Sequence, residues 1–189
     1  MISAWTFAPL RAGAYDLIVA DPPWRFRTWN ETNQAKSASR HYRLMTTDAI
    51  KALPVASLAA PDCALLLWST GAMQREAFAC LDAWGFRYKS QVAWVKTTIN
   101  GKRRMGTGYW ARTMHEPVLI ATRGNPRALR LPSVIDGVAR EHSRKPDEFY
   151  DLIRDRTPGL SRCDLFSRQT RAGFAGWGRE ATKFDGDAA

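Results

Sequence analysis

The sequence predicts an α/β protein whose largely parallel sheet is flanked by helices, and three observations carry that prediction. Short apolar runs rich in β-formers recur along the chain, and amphipathic stretches at helical spacing stand between several of them. The first such run stops abruptly at Asp21-Pro22-Pro23-Trp24. Sheets of this class bind ligands beyond the carboxyl ends of their strands, so a motif at a strand end lies where chemistry is expected. A chain of 189 residues that is 45% hydrophobic, with 8 Trp and 8 Phe, fits a single domain over 1–189 with a substantial core.

The elements follow in order. Asp16 to Ala20 reads as a buried strand ended by the two prolines, which cannot continue a ladder. Residues 25–45 are polar and basic, with Trp29, His41 and Tyr42 interspersed, and are expected to form a mobile substrate loop. A short helix is expected after Thr47, and Ala64 to Trp68 reads as a second buried strand. Met73, Ala77, Phe78, Leu81 and Trp84 then mark an amphipathic helix over 72–84, closed by Gly85. Strands are expected over 86–95, ending at Lys96, and over 117–122, with a Gly- and Arg-rich loop at 100–113 between them. Pro146 opens a helix running to about Arg156 with Phe149, Leu152 and Ile153 on its apolar face, and Asp164-Leu165-Phe166 reads as a further strand.

Composition narrows the function. Lys and Arg total 28 against 18 Asp and Glu, a net charge of +10, which suits a polyanionic partner better than a neutral metabolite. Cys63, Cys80 and Cys163 are too scattered for a disulfide framework and neighbour apolar residues, so buried thiols are expected. His41, His115 and His142 lack ligand spacing among themselves or with the cysteines, and no metal site is expected. No apolar run approaches membrane-spanning length, and the expectation is a cytoplasmic protein with no membrane partner.

The chemistry concentrates at residues 21–24. An aromatic amine is a poor nucleophile because its lone pair is delocalised, so a catalyst must hold it with the lone pair facing the electrophile. The Asp21 carboxylate and the Pro22 carbonyl offer two acceptors for the two amine hydrogens. Pro22 and Pro23 lock the turn and remove competing donors, and Trp24 offers a flat face for a base, worth roughly 1–3 kcal/mol if stacked.

These residues resemble the adenine-methylating branch of the amino-methyltransferases, specifically the family containing the catalytic subunit of the eukaryotic messenger-RNA adenosine methylation complex. The resemblance runs from about Tyr15 to Glu180. It passes through Asp21-Pro22-Pro23-Trp24, Leu67-Trp68-Ser69-Thr70, Trp94-Val95-Lys96-Thr97, Gly108-Tyr109-Trp110 with Glu116, Ser143 to Glu148, and Asp164-Leu165-Phe166. It implies a Rossmann-like fold in permuted order, the catalytic strand first and most cofactor-binding elements near the C-terminus. It further implies S-adenosylmethionine as cofactor and the exocyclic N6 amine of adenine in nucleic acid as acceptor. The cofactor-binding set would then comprise Asp21, Ser143, Lys145, Asp164, Phe166, Arg168, Thr170 and Glu180. Lys145 would face the methionyl carboxylate, and its place before Pro146 puts it near backbone donors that favour an anion. The chain departs from related enzymes in having Ser167 to Arg171 where a glycine-rich loop often stands, and Arg179-Glu180 where an Asn-Gln pair is common.

In that family the loops after the catalytic motif and before the Glu116 strand close over the adenosine. Here they carry Arg25, Arg27, Lys36, Arg40 and Tyr42 in the first and Lys102, Arg103, Arg104 and Arg112 in the second, a set expected to meet the nucleic-acid backbone. The base must be unpaired or flipped to enter. DNA is favoured over RNA as substrate. An RNA adenosine methyltransferase, a non-catalytic nucleic-acid-binding scaffold, and methylation of a protein or small-molecule amine are the competing readings. A homo- or heterodimer is left open.

Overall fold

The computed structural model describes residues 5–25, 44–108 and 110–186. The expected loop at 25–45 therefore lies almost wholly outside the described residues, and with it Arg27, Lys36, Arg40 and Tyr42. Among the described residues, seven strands form one sheet: β1 (Tyr15–Ala20), β2 (Ala59–Trp68), β3 (Arg87–Thr97), β4 (His115–Arg123), β5 (Val134–Val138), β6 (Arg162–Leu165) and β7 (Ala175–Trp177). The helices are α1 (Thr47–Lys51), α2 (Gln74–Ala83) and α3 (Asp147–Arg156). Strand order is β5-β3-β4-β2-β1-β6-β7, with β1 towards the middle. Of these strands only β4 runs against the rest, pairing antiparallel with both β2 and β3, so the sheet is largely parallel as its α/β class requires.

The period of two in β1 explains why both sheet faces are covered. Ile18 and Ala20 point into one core with Leu65, Leu67, Ile50, Leu81 and Trp84, whereas Leu17 and Val19 point into a second with Leu66, Trp68, Phe149 and Ile153. Helices α1 and α2 supply the cover of the first face and α3 that of the second. Thr46 caps α1 by accepting from the Ala49 N–H at 3.2 Å, and Gly85, at φ +72°, ends the α2 region in a conformation that favours glycine.

The structure changes some expected bounds. Helix α2 begins at Gln74 after a short 3-10 turn over Gly71–Met73, and β2 starts five residues before Ala64. Phe166 is not a strand residue: it leaves the sheet at φ +63° directly after β6. Strands β5 and β7 are not predicted by the sequence pattern. In the loop between β3 and β4, Arg103 meets Asp136 of β5 at 2.9 Å and the Arg104 guanidinium donates to the Ala139 carbonyl just after it. Among the described residues no helix is long and apolar enough to cross a membrane.

Candidate active site

Asp21 follows the last residue of β1, and its backbone N–H donates to the Leu165 carbonyl of β6 at 3.2 Å. The two adjacent parallel strands thus deliver Asp21 and Asp164 to the same end of the sheet. Because β4 is reversed, its first residues bring Glu116 to that end as well. Lys145, just before α3, reaches in from the second face.

These side chains meet in a buried line of alternating charge. The Lys145 ammonium lies 2.9 Å from Asp21 and 3.3 Å from Glu116, and Glu116 also accepts from Lys96 at 2.6 Å. Two carboxylates and two ammoniums balance, which is what allows them to share a low-dielectric site. Their positions in the line differ, and so do their proton affinities. Burial pushes the Asp21 carboxyl above its ordinary range, with Lys145 pulling against it. Burial acts on Glu116 in the same sense, but Lys145 and Lys96 together outweigh it and hold that carboxyl below its ordinary range.

Beside Asp21 opens a small recess lined by Ser143, Arg144, Lys145, Tyr150, Asp164, Phe166, Arg168, Arg171 and Phe184 among others. Ser143 at φ +66° and Phe166 at φ +63° both hold left-handed backbone here, a conformation unfavourable for side chains with a Cβ and one that clusters at ligand sites. Asp164 accepts from the Tyr150 hydroxyl at 3.3 Å; burial, reinforced by Asp21, pushes its carboxyl up to about 7 against the pull of Arg171. Arg171 stacks on the Tyr150 ring at 3.6 Å and pairs with Asp147 at 2.5 Å.

A model of the MT-A70 family matches residues 15–180. The chain belongs to the MT-A70 family. Among relatives, the Arabidopsis thaliana protein named N(6)-adenosine-methyltransferase MT-A70-like is 33% identical over 87% of this chain and 23% of its own length. The human N(6)-adenosine-methyltransferase catalytic subunit METTL3 is 31% identical over 82% of this chain and 26% of its own. The chain therefore spans about a quarter of the length of these relatives. The type II methyltransferase M.MunI of Mycoplasma sp differs in this respect, being 29% identical over 92% of this chain and 81% of its own length.

Within this MT-A70 chain, Asp21, Ser143, Lys145, Asp164, Phe166 and Arg168 all line the one recess. Thr170 and Glu180 do not: Thr170 is held by Asp185, and Glu180 pairs with Arg168 at 3.0 Å and Lys183 at 2.7 Å. Lys145 is directed at Asp21 and Glu116 rather than presenting its ammonium outward. Trp24 also differs from expectation. It is 5% exposed, packs in the first core, and its indole N–H donates to the Trp68 carbonyl at 3.1 Å, so it supports the turn from below instead of offering a base its open face. The Pro22 carbonyl accepts from the Trp24 N–H at 2.8 Å, which leaves it a second lone pair. In the β3–β4 loop Arg112 donates to the Gly106 carbonyl, Lys102 is exposed as Arg25 is after β1, and Arg103 and Arg104 are held as described.

Sequence reasoning assigns no site role to Lys96, Glu116, Tyr150, Arg171 or Phe184. Glu116 carries a signal as a lone carboxylate opening an apolar strand, and Lys96 as its mirror at the end of β3. No group of three or more His, Cys, Asp or Glu among the described residues is placed to hold a metal ion.

Proposed function

We propose that the protein transfers a methyl group from S-adenosylmethionine to the N6 amine of adenine in nucleic acid. The observation that carries this reading is the Asp21 carboxylate at the end of β1, buried, paired with Lys145, and forming one wall of the strained recess. The recess suits the cofactor by its donor set. Lys145 stands at the Asp21 end as the cation for the methionyl carboxylate, while Asp164 and Phe166, with Arg168 beside them, offer an acceptor and an apolar face for an adenosyl group. Bound there, the cofactor supplies a methyl group on a sulfonium.

The chain's own residues supply orientation. Asp21 accepts one amine hydrogen and the remaining Pro22 lone pair the other, which turns the nitrogen lone pair toward the methyl. Burial makes Asp21 a stronger acceptor than an exposed carboxylate, and Lys145 at 2.9 Å pulls against the rise in its proton affinity. Glu116, locked between Lys145 and Lys96, fixes where that ammonium sits. The base enters unpaired or flipped, and the basic residues of the β3–β4 loop, at the same sheet end, meet the phosphates.

DNA is the favoured substrate, because the match to the type II methyltransferase M.MunI extends over most of that protein, whereas the match to the adenosine methyltransferases covers a quarter of each. Methyl-labelled cofactor offered with matched single-stranded and duplex DNA and RNA, followed by nucleoside analysis, tests the reading. N6-methyladenine is the expected product, and label on protein, on another base or on nothing would refute it.

A further inference from the structure

The family match ends at residue 180, yet the chain beyond it reaches back into the recess. Gly178 makes this path feasible: a Cβ there would meet the Ser167 carbonyl oxygen at 2.6 Å and the Phe166 carbonyl carbon at 3.0 Å, so only glycine lets the chain cross so closely over that turn. Past the crossing, a segment from Glu180 to Asp185 is fastened to the β6–β7 connection at successive points. Glu180 pairs with Arg168, the Phe184 N–H donates to the Arg168 carbonyl at 3.1 Å, and Asp185 accepts from both the Thr170 N–H and the Thr170 hydroxyl at 2.6 Å. Phe184 itself is 7% exposed, with the guanidinium of Arg168 4.9 Å from its ring centroid and that of Arg144 at 5.1 Å.

We propose that this C-terminal strap completes the cofactor site, with Phe184 as an apolar wall against the adenosyl end of S-adenosylmethionine and the Asp185–Thr170 clasp slowing cofactor release. The proposal rests on the methyltransferase reading. Three facts point to a ligand-facing role and away from simple packing. Phe184 lines the recess and belongs to the core of neither sheet face. It is held by two guanidiniums that line the same recess, which restrains the ring at that wall beside Phe166. The clasp is made of short bonds between an exposed carboxylate and a loop adjoining the recess, so it holds the strap with little apolar burial and can open without disturbing the sheet.

The test compares full-length wild type with Phe184→Ala and Asp185→Asn by calorimetric affinity and stopped-flow dissociation of S-adenosylhomocysteine. Phe184→Ala is expected to weaken binding about tenfold, the scale of removing an aromatic face from a base, with Phe184→Tyr restoring most of it. Asp185→Asn is expected to speed dissociation several-fold while cofactor-free binding of an oligonucleotide stays unchanged in both variants. Folding is checked by circular dichroism, and if Phe184→Ala is unfolded the Asp185→Asn kinetics decide alone. Wild-type affinity in a folded Phe184→Ala, or wild-type dissociation in Asp185→Asn, overturns the strap. A wild type that binds no cofactor overturns the methyltransferase reading and the strap together, which separates the two failures.

Discussion

The end of β1 and the β3–β4 loop are both charged, both face the same end of the sheet, and are built in opposite ways. At β1, Asp21, Lys145, Glu116 and Lys96 are largely withdrawn from water and neutralise one another. In the loop, Arg103 and its partner Asp136 keep more than half of their side-chain surface, and Lys102 is exposed. The buried line is set before any ligand arrives and costs nothing further to organise at the moment of reaction. The loop's charges remain hydrated and act through salt-sensitive attraction. On the proposed function, the difference divides one protein end between two tasks, precise orientation of a small group and loose capture of a long polyanion.

Breaking the ordered half should have the largest effect. Asp21→Ala is expected to abolish methyl transfer, read by incorporation of labelled methyl, while circular dichroism stays native, because Lys145 keeps Glu116 at 3.3 Å as partner. Near wild-type turnover would remove Asp21 from its role. Next comes Trp24→Ala, which should cost about 3–5 kcal/mol of stability in urea unfolding, as for a large core truncation. Weakened nucleic-acid binding with unchanged stability would instead restore the stacking role.

The buried carboxylates sharpen the comparison through pH. Asp164 titrates at about 7 in the folded protein against an ordinary 3.8, so between those values the folded state holds a proton that the unfolded chain has released. Its effect is a loss of stability as pH rises from about 4 to about 7, on the order of a few kcal/mol, with no penalty below that window. Glu116, lowered, acts in the opposite sense: its stabilisation is present above its ordinary value of 4.5 and is lost as pH falls through its folded pKa. Urea midpoints from pH 4 to 8 should show Asp164→Asn flattening the fall toward pH 7 and Glu116→Gln weakening the protein most at neutral pH. Parallel curves for wild type and Asp164→Asn would mean that Asp164 stays ionised throughout.

The smallest stability effect belongs to the loop. Replacing Arg103 and Arg104 together with Ala should change stability by less than about 1 kcal/mol, since exposed ion pairs contribute little. The logarithmic salt slope of oligonucleotide binding should nonetheless fall by roughly 0.7–0.9 for each phosphate that is no longer neutralised, with cofactor binding unaffected by salt. An unchanged slope would show that these arginines serve only Asp136 and the Ala139 carbonyl.

What could be read in advance follows the range of the forces involved. Strands β1 and β2 and helix α3 are legible because their apolar residues repeat locally, and the prolines mark where β1 ends. Strand β5, with Asp136 and Gly137 inside five residues, carries no such repeat and exists because it pairs with β3; a Cβ at Gly137 would lie 2.7 Å from Pro146 and 2.9 Å from the Trp94 indole nitrogen. Strand β7 has three residues, too few for any period to show. At the site, Asp21 is marked by its neighbours in sequence. The direction of the Lys145 ammonium is not, because it is shared between Asp21 at 2.9 Å and Glu116 at 3.3 Å, two carboxylates far apart in the chain that only the folded sheet brings together. Trp24 misleads for a related reason: its hydrogen-bond acceptor, the Trp68 carbonyl, is 44 positions along the chain.

The reversal of β4 has a consequence for how such enzymes diversify. A strand that returned parallel would need its connection to cross the sheet and pack against it. Here the link from β3 to β4 is a hairpin whose two stems are zipped by eight paired positions from Arg87 to Val95. The tip can therefore be lengthened, shortened or exchanged with little demand on the stems. If the loop meets phosphates as proposed, grafting the 98–114 segment of one family member onto another should carry the salt dependence of oligonucleotide binding with it and leave cofactor affinity unchanged.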